Sequence, residues 1–269
     1  PGLGLFSLPP KSKNDIYFDI ESNPLLTKLP LHYLWGAAHE DDEEGFECWW
    51  AHSEEEMKKA FEDFVDWAFK RWEADKSMHI YHYGQFEITA LRELMGHFGV
   101  KEEQVDQLLR KEVFVDLIRV VKQSLFIGSS GYGLKEIEPL FREERVSEVT
   151  SGLDSTVAYE VWSADKQSSR DHTDSDMLKE IWDYNKDDCI SLIKLSDFLR
   201  EIQLKENIRY FPSLRNEREV EAVELAKKIE ELVNNLQEKI SNLMQELNLL
   251  EFKKRKTGEL SSGQKNRVS

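Results

Sequence analysis

The residues of this chain whose types and spacing suit them to chemistry are carboxylates set in apolar surroundings. In the run Ile16-Tyr17-Phe18-Asp19-Ile20-Glu21, two acids one residue apart interrupt a β-branched and aromatic stretch. Alternate side chains of a strand share a face, so Asp19 and Glu21 project together while Phe18 and Ile20 point the other way. Two anions about 7 Å apart on one strand face repel each other unless something positive sits between them. Hard divalent cations such as Mg2+ and Mn2+, which take oxygen ligands, are the usual answer. An edge strand with an acidic outer face accounts for the same pair without chemistry, so the pair alone decides nothing.

Two further acids give it weight. Glu87 falls in the first turn of a helix that begins at Phe86, where the helix dipole favours a carboxylate in any case. Tyr184 and Asp188 are four residues apart, which on a helix sets them on one face a turn apart. Asp187 points about 100° away and is expected at solvent or in a secondary contact. An ordinary amphipathic helix with a Tyr over an Asp would also produce this spacing. The three sites together, on a first strand, after a fourth strand and on a late helix, are much harder to dismiss.

Elements to position them can be read from the hydrophobic pattern. After Glu21, Pro24 breaks the first strand; Leu31 to Gly36 and Phe46 to Trp50 are aromatic-rich strands joined through an acidic turn, giving a three-stranded meander. Ser53 and Glu56 form an S-x-x-E capping box. The helix it opens runs to about Asp75 and buries Met57, Ala60, Phe61, Phe64, Trp67, Ala68 and Trp72. Met78 to Tyr83 is a fourth strand, ended by Gly84, and the helix from Phe86 to about Phe98 carries Leu91, Leu94 and Met95 inward. Val113 to Leu117 is a fifth strand leading into Ile118 to Ser124, followed by a loop with Gly128, Gly131 and Gly133 and then Leu134 to Phe141. Asp154 to Trp162 reads as a short helix, 165–174 as a polar loop, and Met177 to about Gln203 as a long helix.

Composition bounds what such a chain can be. Its 269 residues, 40% apolar with seven Trp, suffice for one large domain or one domain with an appendage. Cys48 and Cys189 are too few for a disulfide framework or a cysteine zinc site. No apolar run approaches membrane-spanning length and no signal peptide opens the chain, so the expected setting is soluble and cytoplasmic, with no membrane partner. A start at Pro1 is what an excerpt from a longer polypeptide would show. The net charge of −16 argues against nonspecific coating of a duplex. It does not argue against an acidic metal site, which stays electronegative until ions bind.

The order β-β-β-α-β-α-β-α with these acids resembles the ribonuclease-H-like fold of the DEDD 3′–5′ exonuclease superfamily. Asp19 and Glu21 match its first motif. His82-Tyr83-Gly84-Gln85-Phe86-Glu87 resembles the second, N-x-x-x-F-D, with Glu87 where that motif carries Asp. Tyr184 and Asp188 match the third in its tyrosine form; the histidine form would need His at position 183, which is Asp183. A closer resemblance is to the bacterial YprB-type ribonuclease-H-like domain, a predicted nuclease. The matching stretches are Asp15 to Pro24, His82 to Glu87, Val115 to Leu117, Tyr132 to Lys135 and Tyr184 to Asp188, and the resemblance covers about residues 1–203. In some large bacterial proteins that domain lies between a RecB-like nuclease segment and a superfamily 1 helicase.

The resemblance implies an α/β fold with a mixed five-stranded sheet flanked by helices, and phosphodiester hydrolysis through two Mg2+ or Mn2+ ions. It implies that Asp19 bridges the ions, that Glu21 and Asp188 bind the ion that activates water, and that Glu87 ligates the other or holds water on it. Tyr184 would orient the attacking water, its ordinary pKa near ~10 making it a poor base. Lys135 would contact a phosphate or be a solvated lysine at a helix start. His82 would contact the strand or fix Glu87, a satisfied core histidine being the plainer alternative. Asp116 would support the metal ligands or cap the following helix. The implied partners are a single strand of nucleic acid and a helicase segment of the same polypeptide. Besides a nuclease, a catalytically weak nucleic-acid-binding or scaffolding module fits the same residues.

The rest of the chain is of another kind. Residues 1–210 are expected to form the nuclease domain, 211–256 a long helix or coiled coil, and 257–269 a disordered tail. Ile229, Val233, Leu236, Ile240, Leu243, Leu247 and Leu250 alternate by four and three, a heptad seam that would pair with a second copy, fold back or await another segment. Lys253 to Lys256 close it in a basic cluster.

Overall fold

The Ile16–Asn23 strand is the centre of the sheet because its side chains are wanted on both faces. The computed structural model describes residues 3–24, 29–40, 45–142, 152–165 and 169–212, with residue 239 alone beyond them. Strands β1 (Ile16–Asn23), β2 (Leu31–Ala38), β3 (Phe46–Trp50), β4 (Ile80–His82) and β5 (Phe114–Asp116) form one sheet in the order β3-β2-β1-β4-β5. The first three pair antiparallel as the expected meander, while β4 joins β1 and β5 joins β4 in parallel. The sheet is therefore mixed, and parallel pairing requires the crossover helices between β3, β4 and β5.

Two apolar cores cover the two faces. Phe18 stacks on Phe64 with ring centroids 4.1 Å apart and lies 5.9 Å from Trp35. This face packs against helices α1 (Glu54–Ala74), α2 (Phe86–Phe98) and α3 (Glu102–Arg110). On the other face Tyr17 stacks on Tyr81 at 5.1 Å, beneath helices α4 (Leu117–Ser124), α5 (Leu134–Ile137) and the thirty-residue α7 (Asp176–Lys205). Helix α6 (Gly152–Ala164) lies along β1 and α7. The alternation that sends Phe18 and Ile20 into the first core turns Asp19 toward α7.

Several local expectations are refined. Ser53 accepts the Glu56 amide at 3.2 Å, but the Glu56 carboxylate takes the amide of His52 at 2.7 Å, one residue before the cap. Trp67 is only half-buried, lying against Trp49 with Arg71 over its ring. Helix α3 is not among the expected elements: Val105 and Leu108 are its buried residues and Leu109 is half-buried beside them, too few to print a period. The described residues other than 239 fall in a unit spanning Pro1–Pro212; the heptad seam and the tail lie outside the described residues. Among the described residues no helix is long and apolar enough to cross a membrane. Cys48 and Cys189 are both free thiols.

Candidate active site

Strand β1 and helix α7 bring the acids together. One carboxylate oxygen from each of Asp19, Glu21 and Asp188 lies within 4.8 Å of the others. A bulge between Glu21 and Ser22 shifts the register of β1 against β2 just past this pair. Glu21 is 6% exposed, so its charge has little water to spread into. Burial first, and then the Asp188 charge, push its carboxyl up to about 8. Asp19 is driven in the same direction by burial and then by Glu21, Asp188 and Glu87. Tyr184 sits one turn before Asp188, and burial followed by the Asp188, Glu21 and Asp19 charges holds its hydroxyl protonated well above the usual range.

Glu87 approaches from α2. It is 3% exposed, and although its charge acts on Asp19 it stands outside the 4.8 Å group. Its Oε2 lies 3.4 Å from Nδ1 of His82 and accepts no hydrogen bond among the described residues. His82 is 2% exposed with its ring edge toward Phe114, so it belongs to the surroundings of Glu87 rather than to open, substrate-facing surface. Asp116 is the residue before α4, yet it does not cap that helix by its side chain. Its carboxylate instead accepts the Gly84 amide at 3.0 Å and the Gln85 side-chain amide at 2.9 Å. It thus pins the turn that leads from β4 to Glu87. That turn passes through Gly84 at φ 110°, a conformation that L side chains rarely adopt.

Lys135, at the start of α5, points to Tyr184. Its ammonium donates to the Tyr184 hydroxyl at 2.8 Å and lies 4.1 Å from the ring centroid. The solvated alternative for this lysine is thereby replaced by a fixed contact at the site's edge. Of the two alternatives for Asp187, the structure shows the secondary contact: it is 4% exposed and receives Arg142 at 2.7 Å, because the 134–142 segment covers α7 on that side.

Three contributors carry no signal of their own kind in the sequence. Asn185 is 0% exposed and donates from Nδ2 to Oδ2 of Asp19 at 2.8 Å, favouring the ionised carboxylate. Its carbonyl oxygen occupies the space a side chain on Gly36 would need, for a Cβ there would stand 1.7 Å from Asn185 Oδ1. Gly36 is paired with Asp19 across the β1–β2 register, so this glycine seats the amide that steadies the acid. Ser155 on α6 hydrogen-bonds Glu21 and lies 2.7 Å from the Tyr33 hydroxyl.

The donor set is all oxygen, Glu21 is buried and Asp19 half-buried, and neighbouring charges raise the pKa of both, with the Lys135 ammonium at the margin. Such a set fits a hard divalent cation, which would remove the repulsion that burial enforces. Bringing it together on the central strand and the last long helix of a mixed sheet is chemistry available to phosphodiester hydrolysis. Comparison with curated proteins and with solved structures gives no match. A family model described as the RNase_H superfamily matches residues 16–200, a span that runs from the first residue of β1 into the last turns of α7 and takes in every acid of the site. The chain belongs to the RNase H superfamily.

Proposed function

We propose that this chain is a divalent-metal-dependent nuclease of the DEDD type in its tyrosine form, resembling the YprB-type domain, and that it trims single-stranded DNA or RNA from the 3′ end. The observation that carries this reading is the convergence of Asp19, Glu21 and Asp188 within 4.8 Å, with Tyr184 a turn away on the same helix. Asp19, Glu21, Asp188 and, from the α2 side, Glu87 would hold two Mg2+ or Mn2+ ions. Bound there, the ions supply charge neutralisation at phosphorus, an activated water and a stabilised leaving oxygen.

The remaining work falls to the chain's own groups. Asn185 keeps the Asp19 carboxylate in one orientation. Tyr184, held protonated, serves as a hydrogen-bond donor that orients the attacking water and not as its base. Lys135 adds positive charge where a phosphate oxygen would arrive. Single-stranded nucleic acid is the proposed substrate, a helicase segment of a longer polypeptide the proposed neighbour, and the heptad seam a proposed dimer contact. One observation favours a second reading, a binding or scaffolding module with weak catalysis: Glu87 stands outside the 4.8 Å group.

Incubation with 5′- and 3′-labelled single strands, hybrids and duplexes, with Mg2+ or Mn2+, tests the proposal. Stepwise shortening of a 5′-labelled single strand is the expected product ladder. Binding without cleavage of any substrate favours the module, and internal cuts would replace exonuclease by endonuclease.

A further inference from the structure

Lys135 reaches Tyr184 from a four-residue helix, an element too short to hold its own position. The segment that carries it, 134–142, is anchored to the core through Ile137, and Phe141 lies 6.1 Å from the Phe198 ring. At its far end stands Arg142, whose guanidinium makes a set of contacts that apolar anchoring does not need. One nitrogen donates to Oδ1 of Asp187 at 2.7 Å; the other donates to the Asp187 carbonyl at 3.1 Å and to Oγ of Ser191 at 2.8 Å. Ser191 in turn donates to Glu138, whose carboxylate lies 3.7 Å from the same guanidinium. All of these side chains are largely buried, and Asp187 and Ser191 stand on either side of Asp188 on α7.

The segment therefore grips α7 at two points, Lys135 on Tyr184 and Arg142 on Asp187 and Ser191. The two points are seven residues, or about 10 Å, apart along the helix axis, and Asp188 lies between them. We propose that Arg142 is a positioning residue: its fork on Asp187 and Ser191 fixes the 134–142 segment so that the Lys135 ammonium stays on the Tyr184 hydroxyl. A purely structural ion pair would be satisfied by the Asp187 carboxylate alone. Arg142 also takes a main-chain carbonyl and a hydroxyl of the same turn, which sets register and rotation as well as proximity. Asp187, adjacent in sequence to Asp188, is then the receiver of this fork. The kinetic consequence rests on the nuclease reading; the geometric one does not.

The test uses the full chain with tyrosine labelled at Cζ with 13C, whose chemical shift reports hydrogen bonding at the hydroxyl; Tyr184→Phe identifies the signal. Lys135→Ala displaces that signal, and Arg142→Ala is expected to displace it in the same direction. In the Lys135→Ala background, Arg142→Ala should add nothing, because its route to Tyr184 is already cut. With a cleaved substrate, kcat of Arg142→Ala falls about tenfold while KM holds. If Arg142→Ala does not fold, Asp187→Asn, which keeps the shape of the receiver, and Arg142→Lys, which keeps the buried charge, decide on the same criteria. A folded variant with the Tyr184 signal at its wild-type position overturns the proposal. So does a displacement that persists undiminished without Lys135. Wild-type protein that cleaves nothing defeats the nuclease reading, and the Tyr184 signal still decides the role of Arg142.

Discussion

Two ends of the same strand bury carboxylates, and they treat them oppositely. Just before β1, Asp15 accepts the amides of Ser12 at 2.9 Å and His79 at 2.8 Å, and Arg200 stands 3.7 Å away. Burial still lifts its carboxyl to about 6, with the amides and Arg200 pulling it back down. Further along, Asp19 and Glu21 face Asp188, another acid, and the strongest influences after burial are like charges. The first end is a closed structural network in which each charge has its answer. The second is an accumulation of like charge that the fold tolerates. The contrast separates an answered acid from a candidate metal ligand better than burial or a raised pKa, which both ends share.

The largest effect should come from Asp19→Asn, which removes an anion while keeping the shape of the side chain. Cleavage should fall about a thousandfold or more. The metal-free variant should melt at a temperature equal to or above the wild type, since repulsion is relieved. A lower melting temperature in thermal scans by circular dichroism would show that Asp19 is structural, like Asp15, and would erase the contrast.

Asp15→Ala should do the reverse. It leaves the Ser12 and His79 amides without their acceptor and should cost about 2–3 kcal/mol in urea unfolding. Mn2+ affinity should stay as in the wild type, and a parallel loss of metal binding would mean that the two ends are coupled. A smaller and more local effect is expected of Gly36→Ala. The new methyl must displace Asn185, so cleavage should drop about tenfold, with unfolding free energy lowered by about 1–3 kcal/mol. Unchanged cleavage in that variant would show that the Asn185 contact to Asp19 does not matter to the reaction.

How much of this could be read in the sequence differs from one residue to the next for physical reasons. Period two gave the shared projection of Asp19 and Glu21, and period four the stacking of Tyr184 over Asp188, because regular elements convert spacing into direction. For Asp187 the same reasoning left solvent and a secondary contact equally open. A helix has more than one covered face, and spacing within α7 says nothing of the 134–142 segment laid against its side. Asp116 was legible as a supporting residue, but its hold on the turn at Gly84 depends on β5 lying beside β4, a tertiary fact. Gly36 reads as the end of a strand, but the strand runs on to Ala38, and the space a side chain at 36 would fill is taken by an amide from a helix far along the chain. The five strands were visible as aromatic and β-branched runs, whereas α3 hid in a charged stretch with two buried residues.

If the like charge at the second end awaits a divalent cation, binding of Mn2+ followed by calorimetry across pH will show it. With its carboxyl raised to about 8 against an ordinary 4.5, Glu21 holds its proton longer in the metal-free fold than in the unfolded chain. Its contribution to the stability of the metal-free protein is thus full below pH 4.5 and lost as pH rises through about 8. Mn2+ requires the ionised form of both Asp19 and Glu21, so binding at pH 7 should release protons and affinity should climb as pH rises toward about 8. Proton release at pH 7 should be visible as a dependence of the binding heat on buffer ionisation, and Mn2+ should raise the melting temperature of the wild type and not of Asp19→Asn. Mn2+ that fails to bind at millimolar concentration, or binds equally well to Asp19→Asn, would contradict this reading.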